Sequence, residues 1–334
     1  MRSVGFGDGA TAAALRRLTA AVKGEIGRAA TESVSGVARD TAAHLGGDLG
    51  PLAGLQADLV RLDAWRTNIS TAGFTATAMQ GALAHLDTSA ATYATALITA
   101  AGSAQPTEFA ATIAEGEDRF EAAISALNTR LGDRSIFAGT AVQSSATASA
   151  DSILDRLETL VATATGADEV EALVNGWFSD PAGFETEAYL GGDPLAPVPL
   201  AADETARLEV TAADPKLRGT LAGLAMAALL DRGVLAGSDT ARADLALRAG
   251  EQLIGEQTSR TALAARLGTA EAAIADAGTR AEAEISATEI ARAGLIAVDP
   301  YDSATRLQAA QGQLETLYAI TARLSQMSLV DYLR

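Results

Sequence analysis

The chain has 334 residues, a formal net charge of −17 at pH 7, 48% hydrophobic residues and no cysteine. That charge sets it against nucleic acid and anionic membrane surfaces, whose phosphates would repel it. Without cysteine there are no disulfides and no thiolate chemistry, and the length allows two or three domains.

Aromatic residues make up only 4% of the chain while alanine is abundant, as where helices pack closely rather than around bulky cores. Only Lys23 and Lys216 are lysines; every other basic side chain bar the histidines is arginine. After Arg2 come Gly5, Gly7 and Gly9 with no apolar run, so no cleaved secretory signal is expected. The longest apolar run, Gly219 to Leu230, ends at Asp231-Arg232 and falls short of the roughly 20 residues that span a bilayer.

Residues 1–48 carry Leu15, Leu18, Val22 and Ile26 at helical spacing, then Val34 and Val37, with interruptions at Gly24, Gly27 and Gly36 and an end at Gly46-Gly47. An interior glycine costs a helix about 1 kcal/mol, so this segment is expected to be marginal alone and to fold on something else. From Leu52 to Ala101 the pattern is far stronger. In steps of seven it reads Leu55, Leu62, Ile69, Ala76, Leu83, Ala90 and Leu97; three residues on it reads Asp58, Trp65, Ala72, Met79, Leu86, Tyr93 and Ala100. Such a seam predicts a long helix that needs partners along its length, with Gly50-Pro51 as its start.

A turn at residues 102–107 precedes a second predicted helix with the seam Phe109, Ile113, Phe120, Ile124, Leu127 and Leu131. Gly132 suits its C-cap, and the short connection predicts an antiparallel return. Asp133 to Thr140 reads as an extended piece, and the Ser/Thr/Ala-rich residues 141–150 as a linker. Beyond it, short helices are predicted at Ile153–Thr163 and Ala167–Trp177, strand fragments at Tyr189-Leu190 and Val198–Leu200, and a half-buried strand at Arg207–Thr211. Lys216–Leu230 is a further apolar helix.

From the N-cap pair Ser238-Asp239 the chain runs without proline to Val298, with Leu245, Leu253, Leu263, Leu267, Ile274, Ile285, Ile290 and Leu295 forming a seam that slips near 278–285. This element is the expected partner of Leu52–Ala101. Asp299-Pro300 then starts a last helix bearing Leu307, Ala310, Leu314, Leu317, Thr321, Leu324 and Ser328. The predicted fold is mainly α: a long antiparallel helical bundle or coiled-coil rod from the N- and C-terminal halves, with a small mixed α/β insert mid-chain. The expected divisions are terminal assembly helices at 1–48 and 299–334, a rod at 49–140 and 238–298, and a head at 141–237.

Catalytic chemistry is hard to assemble from these residues. His44 and His85 are the only histidines, too few for a transition-metal site without cysteine. Carboxylate pairs such as Glu115/Glu117 and Glu282/Glu284 read as solvated helix faces. Gly5-x-Gly7-x-x-Ala10 has no room for the strand that a dinucleotide fingerprint requires. Asn68-Ile69-Ser70 is a sequon inside a helix seam. No enzyme activity, cofactor or metal is expected.

The tail is more specific. Ala304–Glu315, with Arg306 and Leu307, then Leu317–Ser325 and Ser328–Leu333 resemble the C-terminal segment of bacterial flagellar hook–filament junction proteins (hook-associated protein 3, flagellin superfamily). A second string, Ala126–Thr140, is similar to that superfamily's helix-to-strand element through Asn128, Arg130, Gly132, Asp133, Phe137, Ala138 and Gly139. The ending Leu329–Tyr332 resembles the junction protein more than filament flagellin, and Ser35–Asp40 is only a faint echo of the family's N-terminal pattern. The resemblance implies a structural subunit that joins hook to filament, with filament flagellin as the alternative; a cytoplasmic coiled-coil signalling or adaptor protein is more distant. It implies other copies in a helical ring, a neighbouring hook-associated protein, flagellin and an export chaperone as partners. It also implies export to the flagellum by the type III apparatus. The assembly interface is expected at Leu15, Leu18, Val22, Ile26, Leu307, Leu314, Leu317, Leu324, Leu329 and Tyr332.

Overall fold

The computed structural model describes residues 6–103 and 105–332, with side chains from 10 to 324 other than 104. In chain order the elements begin with α1 (Phe6–Ser35), α2 (Thr41–His44), α3 (Gly50–Gly102), α4 (Pro106–Ile113) and α5 (Gly116–Leu127). Then come β1 (Arg130–Leu131), β2 (Arg134–Ser135), α6 (Ala150–Val161), α7 (Ala167–Ser179), α8 (Phe184–Glu187), β3 (Val198–Ala201) and β4 (Glu204–Ala206). The chain closes with α9 (Pro215–Asp231), α10 (Asp239–Gly255), α11 (Gln257–Ile296) and α12 (Pro300–Tyr332). The fold is mainly α, with two small antiparallel hairpins mid-chain. Its contacts form two compact units, Met1–Asp63 with Ala283–Arg334, and Ala64–Glu282.

In the second unit α3 lies antiparallel to α10 and α11. Moving along α3, Ile69 meets Gly278, Gly73 meets Ile274 and Ile98 meets Gly250, while Gln80 Nε2 donates to the Ala264 carbonyl at 3.3 Å. The heptad seam is buried as its spacing predicts: Ile69, Ala76, Leu83, Ala90 and Leu97 on one series, Ala72, Met79, Leu86, Tyr93 and Ala100 on the other. Trp65 is half-buried against the same cluster. Leu245, Leu253, Leu263, Leu267 and Ile274 answer from the partner helices.

The long helices break differently from the expectation. The predicted helix Phe109–Leu131 is two short ones, α4 and α5, and Leu131 is an exposed residue of β1. The cause is packing. A Cβ on Gly116, the first residue of α5, would stand 2.5 Å from the Ala227 carbonyl, so α5 approaches α9 backbone to backbone. Gly132 does not cap a helix; it takes φ +60° in the two-residue turn of the β1–β2 hairpin, where a side chain would be strained.

The run from Asp239 likewise stops at Glu256 instead of slipping near 278–285. Ser238 caps it as predicted, its hydroxyl accepting from Ala241 N–H at 3.2 Å. At the interruption the buried Arg260 takes over the orphaned Leu253 carbonyl at 2.9 Å, also donating to Thr220 Oγ1 at 3.1 Å and Asp87 Oδ1 at 2.6 Å. A charged donor thereby replaces the missing helical N–H. Ile290, expected in the seam, is 73% exposed.

The mid-chain segment supplies the centre of this unit. In α9, Thr220 to Leu230 are all buried, the signature of a helix enclosed on every side. It packs against α4, α5, α6, α7 and α10, and its side chains share one cluster with the α3 seam and with Trp177, Phe178 and Phe184. Burial pushes the Tyr93 phenol up, and its hydroxyl donates to the Thr112 carbonyl at 3.2 Å. The predicted strand Arg207–Thr211 is not one: Leu208 and Val210 are buried in alternation, but ladder pairing ends at Ala206. Alternation there records burial against the core without a strand partner.

Arg232, at the C-cap of α9, ties three helices together. It reaches Glu117 of α5 at 2.6 Å and Asp151 and Asp155 of α6 at 2.9 and 2.6 Å. Desolvation works against its charge, yet the hydrogen bonds to Glu117 and Asp155 more than offset this and raise its pKa. Its side chain is 15% exposed whereas Asp151 and Asp155 are largely solvated, so water screens part of the attraction. Replacing it by Met is expected to cost about 2 kcal/mol, because clustered carboxylates lose their counter-charge. A melting temperature of R232M equal to wild type at neutral pH would refute this.

Candidate assembly interface

The first unit is organised by α1 and α12, which pair antiparallel. At one end Glu32, 6% exposed, accepts from Arg306 Nη2 at 3.0 Å and from the Arg39 backbone N–H at 3.1 Å. Arg306 also donates to Ser303 Oγ at 3.2 Å. Nine residues back along α1, Lys23 Nζ lies 5.8 Å over the Tyr318 ring. Between them the small side chains Ala29 and Ala310 are buried, which lets the helices approach. The segments flanking the pair also meet: Ala38 N–H donates to the Ile296 carbonyl, and Val298 N–H to that of Gly36, both at 2.9 Å. Asp299 Oδ1 accepts from Tyr301 N–H at 2.8 Å and starts α12, as its place before Pro300 predicts.

The interrupted N-terminal pattern thus forms one 30-residue helix despite its interior glycines. Its apolar stripe is only partly covered. Leu15, Val22, Ile26, Leu307, Leu314 and Leu317 are half-buried. Leu18, Tyr318, Ile320 and Leu324 are 52%, 50%, 44% and 37% exposed. Leu18 and Val22 line a shallow groove with Ala309, Gly312, Gln313, Thr316 and Leu317. The side chains of Leu329 and Tyr332 lie outside the described residues. A contiguous apolar face of this kind marks an interaction surface rather than a catalytic one.

On the opposite flank the groove is polar, lined by Lys23, Gly24, Gly27, Arg28, Arg39 and Asp40 among others. Arg28 pairs with Glu25 at 2.6 Å, and that hydrogen bond raises its pKa. Sequence reasoning passed over Lys23, Glu32 and Arg39, since charged residues carry no periodic signal that separates a partner from solvent. Among the described residues no cluster of three His or acidic side chains is placed to hold a metal, and no helix is long and apolar enough to cross a membrane.

The second motif string lies in the other unit, where it builds the turn from α5 into the hairpin. Asn128 locks that turn to Thr147, donating to its hydroxyl at 3.0 Å and accepting from its N–H at 2.9 Å. Arg130 donates to the Asp133 carbonyl across the hairpin and to that of Gln143 at 3.4 Å. Phe137 and Ala138 are fully buried. Gly139 has φ +55°, and a Cβ there would collide with the Asp193 carbonyl. These residues hold the core; they do not join the α1–α12 face.

Residues 252–333 match the family described as the bacterial flagellin C-terminal helical region, so this part of the chain is flagellin-like. The match takes in the end of α10 and all of α11 and α12. No curated protein sequence matches the chain. Among solved structures, a chain from Vibrio parahaemolyticus described as a flagellar hook-associated protein shares the fold with a TM-score of 0.52. The two are 14% identical, and the alignment covers 73% of this chain and 95% of that one.

Proposed function

We propose that this protein is a structural subunit of the bacterial flagellum that joins hook to filament. The observation that carries the reading is a flagellin-like C-terminal region whose last helix pairs with α1 and leaves an apolar face open. An enzyme needs convergent polar groups in a cleft; a subunit of a helical array needs such a face, satisfied only by neighbours. The fold shared with a chain described as hook-associated and the junction-like ending Leu329–Tyr332 favour the junction over filament flagellin, which is the second reading. In this account the interface is formed by Leu15, Leu18, Val22, Ile26, Leu307, Leu314, Leu317, Leu324, Leu329 and Tyr332. The partners are other copies, a neighbouring hook-associated protein, flagellin and an export chaperone, and the chain leaves the cell through the flagellar type III apparatus.

Deletion of the gene from its own bacterium is expected to leave hooks intact, abolish filaments and release unassembled flagellin into the medium. If the mutant instead kept filaments while losing part of their length or flagellin content, the filament-subunit reading would replace the junction one. Normal filaments on the mutant, with no other copy of the gene to supply them, would overturn both.

A further inference from the structure

The polar groove beside α1 is faced by Lys23 and Arg39, and neither side chain forms an ion pair among the described residues, although Lys23 Nζ also lies 5.8 Å over the Tyr318 ring. Asp40 is engaged in capping α2, its Oδ1 accepting from Ala43 N–H at 3.0 Å, and Arg28 is engaged by Glu25. The groove floor is formed by Gly24 and Gly27 in the middle of a helix, where glycine weakens the helix. A Cβ at either position would meet nothing within 4 Å in this chain. Intrachain packing therefore does not require these glycines, and each leaves the groove open where a side chain would stand.

The chain also carries a segment with the complementary chemistry. On α11, Glu289 is exposed and forms no ion pair among the described residues. Beside it, Ile290 is 73% exposed. An acidic group next to an unburied apolar anchor matches a groove with cations on its rim and glycines on its floor. We propose that the Lys23–Arg39 groove receives the Glu289–Ile290 segment of a second copy of this chain, the carboxylate pairing with Lys23 and Arg39 and the isoleucine resting on Gly24 and Gly27. In a protein of net charge −17, copies repel one another at long range, and a local cationic seat gives their contact a direction and a register. The proposal rests on the self-assembly reading above and makes it specific.

The scarcity of lysine makes the test selective. Equal amounts of 15N-labelled and unlabelled full-length protein are assembled, checked by electron microscopy, and treated with a carbodiimide, which condenses lysine amines with nearby carboxylates. Only Lys23 and Lys216 can offer lysine amines. The expected product is a Lys23–Glu289 amide joining labelled to unlabelled chains. In parallel, K23E/R39E is expected to raise the concentration needed for assembly at least tenfold, and adding E289K to lower it again. Assemblies in which Lys23 joins only other carboxylates, or none, overturn the proposal while leaving self-assembly intact. Wild-type protein that forms no assembly, alone or with flagellin, overturns the self-assembly reading and this proposal together.

Discussion

Leu224→Asp is expected to unfold the second unit. Leu224 is 1% exposed on α9, a helix buried from Thr220 to Leu230, and a carboxylate there has no side to turn toward water. Burying an unpaired charge costs more than the ~4 kcal/mol that marks exceptional point mutations, a large part of a typical domain's stability. Leu83→Asp in the α3 seam, 6% exposed, is expected to cost several kcal/mol but less, because the edge of a two-helix seam can admit some water. Thermal melts followed by circular dichroism decide the order. Leu224→Asp protein that melts with wild-type cooperativity and midpoint would show that α9 is not the centre of this unit.

The second large effect concerns assembly rather than folding. Leu314→Asp with Leu317→Asp is expected to give a soluble, helical monomer that is exported but does not form the junction, so that flagellin is shed. Leu314 and Leu317 are half-buried, Leu317 in the groove it shares with Leu18 and Val22 of α1, so the lone chain holds only part of their burial energy. Full burial of a leucine contributes about 1.5–3 kcal/mol, and the remainder becomes available only when a neighbour covers the face. The second unit, Ala64–Glu282, does not contain these residues, so its helical signal should persist. Full-length filaments supported by this double mutant would remove the α12 face from the interface.

The predictions separate features set by local pattern from those set by contact. The α3 helix and its buried positions were legible because a heptad repeat sustained from Leu62 to Ala100 leaves one helix face to bury. The caps at Ser238 and Asp299 and the start at Pro300 were legible for a similar reason: their side chains satisfy backbone groups within three residues. The break between α4 and α5 was not, because it follows from Gly116 meeting Ala227 more than a hundred positions away. Nor was the break at Glu256, which Arg260 stabilises together with Asp87 and Thr220 from two other helices.

The candidate interface divides in the same way. Leu307, Leu314 and Leu317 were visible as a helical stripe, and so were Leu15, Val22 and Ile26; that two such stripes must find cover follows from the hydrophobic effect alone. Which stripe covers which, and how much of each stays open, depends on the contact of the buried Glu32 with Arg306 and the Ala29–Ala310 approach, joining residues from opposite ends of the chain. Periodicity in the sequence by itself determined the helices and their apolar faces, since both depend on neighbours within about two turns. The partners of those faces, the central place of α9 and the cations gathered along the α1 groove were decided by tertiary structure, because burial and charge compensation depend on residues that only the folded chain brings together.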